Sequence, residues 1–209
     1  MAGLTVAHFG VTLFLLSDLG ADPFNVLVQG VCRTLEGATA WGLSHGSVHR
    51  LLCFGIILIL LAVDKRYVKV GTLLCMFCGG PIIDVFTRLL TPVLNGESPI
   101  LFRYLALAAG CVILAFGMTV VIRSDAGTGP NDLVALIISE KSGAKFSIVR
   151  VVTDVCFVAV GWLFGGVFGA GTLICSFLVG PVAGFFMPRS ERLVQTVLKK
   201  CGMGESVCR

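Results

Sequence analysis

Apolar residues in this chain fall into blocks of helix-spanning length, separated by short polar breaks. An α-helix needs roughly 17–25 predominantly apolar residues to cross a hydrocarbon core of about 30 Å. On that pattern, full spans are predicted at about 2–16, 47–63, 71–90, 101–122, 147–164 and 171–187. Two shorter apolar segments, about 23–34 and 130–140, start at Pro23 and Pro130. Proline suits a first helical position, where its missing N–H would be unpaired anyway, and Asp22 is a natural N-cap before Pro23. At roughly 12 residues these segments are too short for a comfortable crossing and predict re-entrant or interfacial helices. The expected fold is all-α: a polytopic membrane bundle of six transmembrane helices plus two short helices, in one integral membrane domain over 1–209.

The chain is internally duplicated. Ala2-Gly3, Phe9-Gly10, Thr12, Ser17-Asp18, Gly20 and Pro23 align with Ala109-Gly110, Phe116-Gly117, Thr119, Ser124-Asp125, Gly127 and Pro130 at one offset. Further on the register changes by seven residues: Ser47, Arg50, Gly71-Thr72-Leu73-Leu74-Cys75 and Gly80-Pro81 align with Ser147, Arg150, Gly171-Thr172-Leu173-Ile174-Cys175 and Gly180-Pro181. The extra residues of the first half lie between about Cys32 and Gly46. Repeat one thus covers about 2–90 and repeat two about 101–187, followed by a basic tail at 188–209. Nothing in the first half stands opposite Leu101–Ala108, which predicts a start upstream of Met1. The apolar N-terminus lacks the basic flank of a signal peptide and matches an internal span, so it is read as retained.

Charge placement predicts orientation. Lys65, Arg66 and Lys69, then Arg123, Lys141 and Lys145, then Arg189, Arg192, Lys199 and Lys200 fall on one side if six segments cross. The other side receives Glu97, an uncharged stretch at 165–170, and a loop where Asp18, Asp22 and Glu36 outnumber Arg33. Cytoplasmic connections carry the excess of Lys and Arg, so both termini are expected inside. Three crossings per repeat is an odd number, which predicts two inverted-topology repeats, a recurring transporter architecture.

Composition fits this picture: 56% of the 209 residues are hydrophobic and 13% charged, with a mean hydropathy of +0.96. The net charge of +4 sits at span ends rather than in a basic stripe with aromatics, so no nucleic-acid partner is expected. Of nine cysteines, Cys53, Cys75, Cys78, Cys111, Cys156 and Cys175 lie within apolar blocks and read as small hydrophobes. No metal-ligand spacing or nucleophile–base constellation is present, so neither a metal, a cofactor nor an enzymatic activity is expected.

The runs Asp18-Leu19-Gly20-Ala21-Asp22-Pro23-Phe24-Asn25-Val26-Leu27, Ala126-Gly127-Thr128-Gly129-Pro130-Asn131-Asp132 and Gly161-Trp162-Leu163-Phe164-Gly165-Gly166 through Val179-Gly180-Pro181 resemble the YczE/YyaS/YitT-type bacterial membrane proteins over nearly the whole chain. The resemblance implies a multi-pass protein of the bacterial cell (inner) membrane and supplies no substrate. Asn25 stands where the family pattern has an acid, Asp132 keeps it, and Asp154 stands where the pattern suggests Glu.

Ionisable groups within spans are costly and therefore functional candidates. Ser147, Arg150 and Asp154 share one helical face, with Asp154 either a coupling carboxylate or the ion-pair partner of Arg150 one turn away. Arg50 repeats Arg150, and Asp84 is its expected partner, with Arg88 the rival. The Gly80-Pro81 and Gly180-Pro181 pairs are helix-break candidates at corresponding positions, the pattern that marks a transporter's central site. Asp18, Asp125, Gly20, Gly127, Pro23, Pro130, Asn25 and Asp132 complete the candidates: half-helix N-termini favour an anionic ligand group, while the nearby aspartates favour a cation. Two function classes follow. The first is a transporter of a small molecule or ion, with a central site at the repeat interface. The second is a non-transporting accessory or regulatory protein that assembles with a partner. The lipid bilayer is the expected surrounding, and a homo-oligomer is compatible with either.

Overall fold

A computed structural model describes Met1–Ala38, His45–Leu94 and Ser98–Lys200, except for the side chains of 36–38, 45, 46 and 198. The Glu36 side chain, Glu97 and the tail beyond Lys200, which entered the charge and domain readings, lie outside the described residues. Among the described residues the chain is entirely helical: α1 (Ala2–Leu16), α2 (Pro23–Ala38), α3 (His45–Val63), α4 (Val70–Leu90), α5 (Ile100–Arg123), α6 (Pro130–Ser142), α7 (Phe146–Leu163) and α8 (Ala170–Lys200). Four stretches are long and apolar enough to cross a membrane: Val70–Leu90, Ile100–Arg123, Phe146–Leu163 and Ala170–Val197. Ala2–Leu16 and Ser47–Val63 are shorter apolar helices.

The bundle is organised around α1 and α5, the first helices of the two repeats. Gly3 lies against Val120 and Val121, Ala7 against Gly117, and Gly10 against Gly110 and Leu114. Residue numbers rise along one helix as they fall along the other, so α1 and α5 run antiparallel. The contact uses the same two glycines from each repeat, Gly3 and Gly10 with Gly110 and Gly117. Without side chains at these points the backbones touch, which maximises packing where no hydrophobic drive separates helix from lipid. Each first helix also pairs with the last of its own repeat through equivalent aromatic contacts. Phe9 meets Phe86 at 5.1 Å and 72°, and Phe116 meets Phe186 at 5.3 Å and 68°.

The turns that launch the short helices repeat as well. Asp18 and Asp125 both hold positive φ, 50° and 53°, followed by Gly20 at 142° and Gly127 at 101°. Each turn then caps the last helix of the other repeat: Gly171 N–H donates to the Leu19 carbonyl at 2.9 Å, and Gly71 N–H to the Ala126 carbonyl at 2.8 Å. The two repeats are therefore interlocked rather than stacked side by side. One end of the bundle collects Asp64–Lys69, Ser124–Gly129 and Gly143–Lys145, tied by Lys69–Asp125 at 2.5 Å and Tyr67–Glu140 at 2.6 Å. The opposite end collects 17–22 and 164–169, where Arg103 donates to the Ser17 and Asp18 carbonyls.

Three sequence expectations need correction. The Gly-Pro pairs do not break their helices: α4 and α8 run continuously through Pro81 and Pro181. One missing N–H removes a single hydrogen bond, and the remaining bonds keep the helix continuous on both sides of it. Gly180 instead lets α8 approach α7, since a Cβ there would lie 2.6 Å from the Ser147 carbonyl oxygen, whereas nothing lies within 4 Å of Gly80. The sixth span does not end at 187, because α8 continues through Pro188 to Lys200. Its extra turns are held by Ser190, hydrogen-bonded to Thr119 at 2.7 Å, and by buried Val194. Lastly, Arg50 and Asp84 do not pair. Both are exposed, and the Arg50 guanidinium reaches Ser47 Oγ at 3.4 Å. The α3–α4 packing that would bring them together is far thinner than its counterpart between α7 and α8.

Candidate functional site

Arg150 stands one turn into α7 and points into the bundle, with 8% of its side chain exposed. Its Nη1 donates to Asp132 Oδ1 at 2.5 Å and its Nε to Asp154 Oδ2 at 3.1 Å. Asp154 lies on its own helical face at i+4, and its side chain is 1% exposed. Asp132 comes from the first turn of α6, so this short helix is anchored to α7 through charge. An unpaired buried ion would cost several kcal/mol, and the two charge-assisted bonds are what offset that cost.

The N-terminus of α2 brings a further acid. Asp22 Oδ1 accepts from the N–H groups of Phe24 at 3.1 Å and Asn25 at 3.3 Å, and its other oxygen accepts from the Asn25 amide. This is the N-cap expected from sequence, and it fills the seat an anionic ligand would take at that helix end. At α6 the equivalent of Asp22 is Gly129, and Asp132 Oδ2 lies 3.6 Å from where its Cβ would be. Two carboxylates, Asp132 and Asp154, therefore share one guanidinium, an excess of negative charge suited to a cation or a proton rather than to an anion.

A cavity of about 1330 Å³ leads from the Asp64–Lys69 end toward this cluster. Tyr67, Lys69, Glu140 and Lys145 line its mouth, and Thr128, Leu133, Phe146 and Ser147 its inner wall. Thr128 Oγ1 is 3.5 Å from Asp132 Oδ2, and Ser147 is one turn from Arg150, so the charge cluster lies directly behind this wall. At the mouth, the Arg66 guanidinium beside Asp64 holds its carboxyl down at about 2. The Glu140 carboxylate accepts the Tyr67 hydroxyl and raises that phenol above its ordinary value.

Of the residues singled out in sequence, the fold brings Arg150, Asp154 and Asp132 together, while Asn25 is bonded to Asp22 at the start of α2. Pro23 and Pro130 are buried at the starts of α2 and α6, and Gly20 and Gly127 supply the turns that precede them. Asp18 and Asp125 lie apart, at opposite ends of the bundle, paired with Arg103 at 3.4 Å and Lys69 at 2.5 Å and 78% and 66% exposed. Asp84, exposed on α4, has no ion-pair partner within 4 Å among the described residues. Sequence reasoning gave Asp22 the capping role it has and passed over Thr128. It also passed over Gln29, Arg33 and Thr34, although the repeat register places Arg33 opposite Glu140.

Fold and site together define a helical membrane protein with a buried ionic cluster behind a cavity. The chain belongs to the family described as "Family of unknown function (DUF6198)", whose model matches residues 1–188. It is similar to "Uncharacterized membrane protein YczE" of Bacillus subtilis (strain 168), 27% identical over 92% of this chain and 86% of that protein. It is also similar to an "Uncharacterized protein" of Haemophilus influenzae, 26% identical over 91% of this chain and 82% of that one. "Uncharacterized protein YyaS" of Bacillus subtilis is 27% identical over 91% of both chains. No solved structure matches this chain.

Proposed function

We propose that this protein is a transporter of a small cationic molecule or ion in the bacterial cell membrane, with its binding or coupling site at Asp132, Arg150 and Asp154. The observation that carries this reading is the buried three-residue cluster behind the wall of a cavity. Ionisable groups held inside a membrane bundle mark ion and substrate pathways. We further propose six spans, two inverted repeats and both termini cytoplasmic. The antiparallel packing of equivalent helices α1 and α5 supports the inversion. The gathering of Lys69, Arg123 and Lys145 at one end supports the orientation, and the cavity then faces the cytoplasm.

The test is a thermal-shift screen of purified protein against inorganic cations, organic cations and anionic metabolites, followed by uptake of any hit into proteoliposomes. A cation that raises the melting temperature of wild type but not of Asp154→Asn, and is taken up, supports the proposal. Stabilisation by anions alone would overturn the charge reading. One observation favours the accessory reading: α4 packs mainly on α1 and exposes Asp84 and Arg88 with Phe77 and Leu89. Charges on such a face suit a second copy or a partner helix, and co-purification with either, without uptake of any screened compound, would favour it.

A further inference from the structure

The two ends of the bundle carry equivalent closures in unequal states. At the end holding 164–169, α2 is latched onto the connection after α7. Arg33 Nη1 donates to the Gly165 carbonyl at 2.5 Å, Thr34 Oγ1 to the Phe164 carbonyl at 3.3 Å, and Val167 N–H to Gln29 Oε1 at 2.8 Å. Beneath this latch Gly30 and Gly161 bring the α2 and α7 backbones into contact. In the repeat register Arg33 corresponds to Glu140 and Val167 to Tyr67. At that other end, among the described residues, the Tyr67–Glu140 bond at 2.6 Å spans the equivalent gap, and the large cavity opens there. The helices also cannot meet as closely, because Ile137 replaces Gly30 and packs on Leu60 with its side chain.

The inequality shows directly at one pair of equivalent residues. Cys32, on α2 beside Arg33, is buried at 6% exposure. Its counterpart Ser139, on α6 beside Glu140, lines the cavity. We infer that Gln29, Arg33 and Thr34 form a releasable gate at the end opposite the cavity, and that its opening is coupled to closing of the Tyr67–Glu140 end. The inference rests on the transporter reading, because a site reached from one end only could not pass its ligand onward. The latch suits release: its three bonds reach polar atoms at the bundle end, two of them exposed backbone carbonyls, where water can replace each partner.

Residue-resolved maleimide labelling of the full chain in detergent, read by peptide mass spectrometry, tests this without any substrate. In wild type, native Cys32 should react at least tenfold more slowly than a cysteine introduced by Ser139→Cys. Arg33→Ala should raise Cys32 reactivity several-fold and lower that of the introduced residue. Arg33→Lys, which keeps a donor for the Gly165 carbonyl, should restore the wild-type pattern. Buried Cys111 and Cys175 report unfolding; if they react too, Thr34→Val, a milder loosening of the same latch, replaces Arg33→Ala. An unchanged Cys32 overturns the gate, and a rise in Cys32 with no fall at position 139 overturns the coupling. A protein that passes this test but transports nothing keeps the gate and loses the transporter reading. Uptake with an unresponsive Cys32 does the reverse.

Discussion

Arg150→Ala is the substitution whose consequence the structure defines most fully. It removes the one positive charge between Asp132 and Asp154, two carboxylates from different helices that are 17% and 1% exposed. Breaking a buried ion pair by deleting one partner costs about 3–5 kcal/mol, because the other is left charged and unsolvated. For a chain of this size about 1 kcal/mol corresponds to roughly 2–4 °C in melting temperature. A fall on the order of 10 °C is therefore expected in detergent. Asp154→Asn is milder: Arg150 keeps Asp132, and the amide oxygen can still accept from Nε. What is lost is the difference between a charge-assisted and a neutral hydrogen bond, about 1 kcal/mol. The triple variant Arg150→Met, Asp132→Asn, Asp154→Asn carries no unpaired charge and should recover most of what Arg150→Ala loses. Melting curves of the four proteins decide the matter. A wild-type melting temperature for Arg150→Ala, or equal losses for Arg150→Ala and Asp154→Asn, would refute the ionic account. Wild-type stability with lost transport in Asp154→Asn would assign that carboxylate to coupling rather than to structure.

Gly10→Ala should destabilise by about 1–3 kcal/mol, since its Cβ would collide with the α5 backbone. Gly80→Ala, with nothing within 4 Å, should be neutral or stabilising by up to about 1 kcal/mol through helix propensity; equal effects in melts of the two would contradict the packing described. Cysteines introduced at Lys65 or Lys69 should be labelled from the cytoplasmic side in oriented vesicles, and external labelling would invert the proposed topology. Because the Asp64 carboxyl is held at about 2 in the folded chain, below its ordinary value, its contact with Arg66 should persist above pH 4. It is lost only as pH falls toward 2, and carboxyl titration by NMR of labelled protein that placed Asp64 at its ordinary value would contradict the pairing. The Tyr67 phenol is shifted the other way, so its bond to Glu140 should hold through neutral pH and fail only above pH 10, as ultraviolet titration of the phenol would report.

Much of this protein was legible in its sequence because a membrane leaves few choices. Every backbone polar group in lipid must be paired within its own helix, so apolar block length alone located the helices. Pro23 and Pro130 marked the starts of the short ones, and repetition of the Ser-Asp-x-Gly turn foretold two turns of one geometry, with Asp18 and Asp125 at the same positive φ. The pairing of Arg150 with Asp154 followed from helical spacing within one element. Asp132 could not be added that way, because it reaches the cluster from another helix and its approach depends on how α6 packs on α7. The same limit explains Arg50. Sequence makes it the twin of Arg150, yet a repeat copies local residues and not neighbours: Gly180 and Gly184 pack against Ser147, while Gly80 meets open space and Asp84 stands where Gly184 does. Helix positions are set by short-range hydrogen bonding that the chain encodes residue by residue. Which charges meet, and which end of the bundle is open, depends on contacts between distant segments, and those exist only once the two repeats have interlocked.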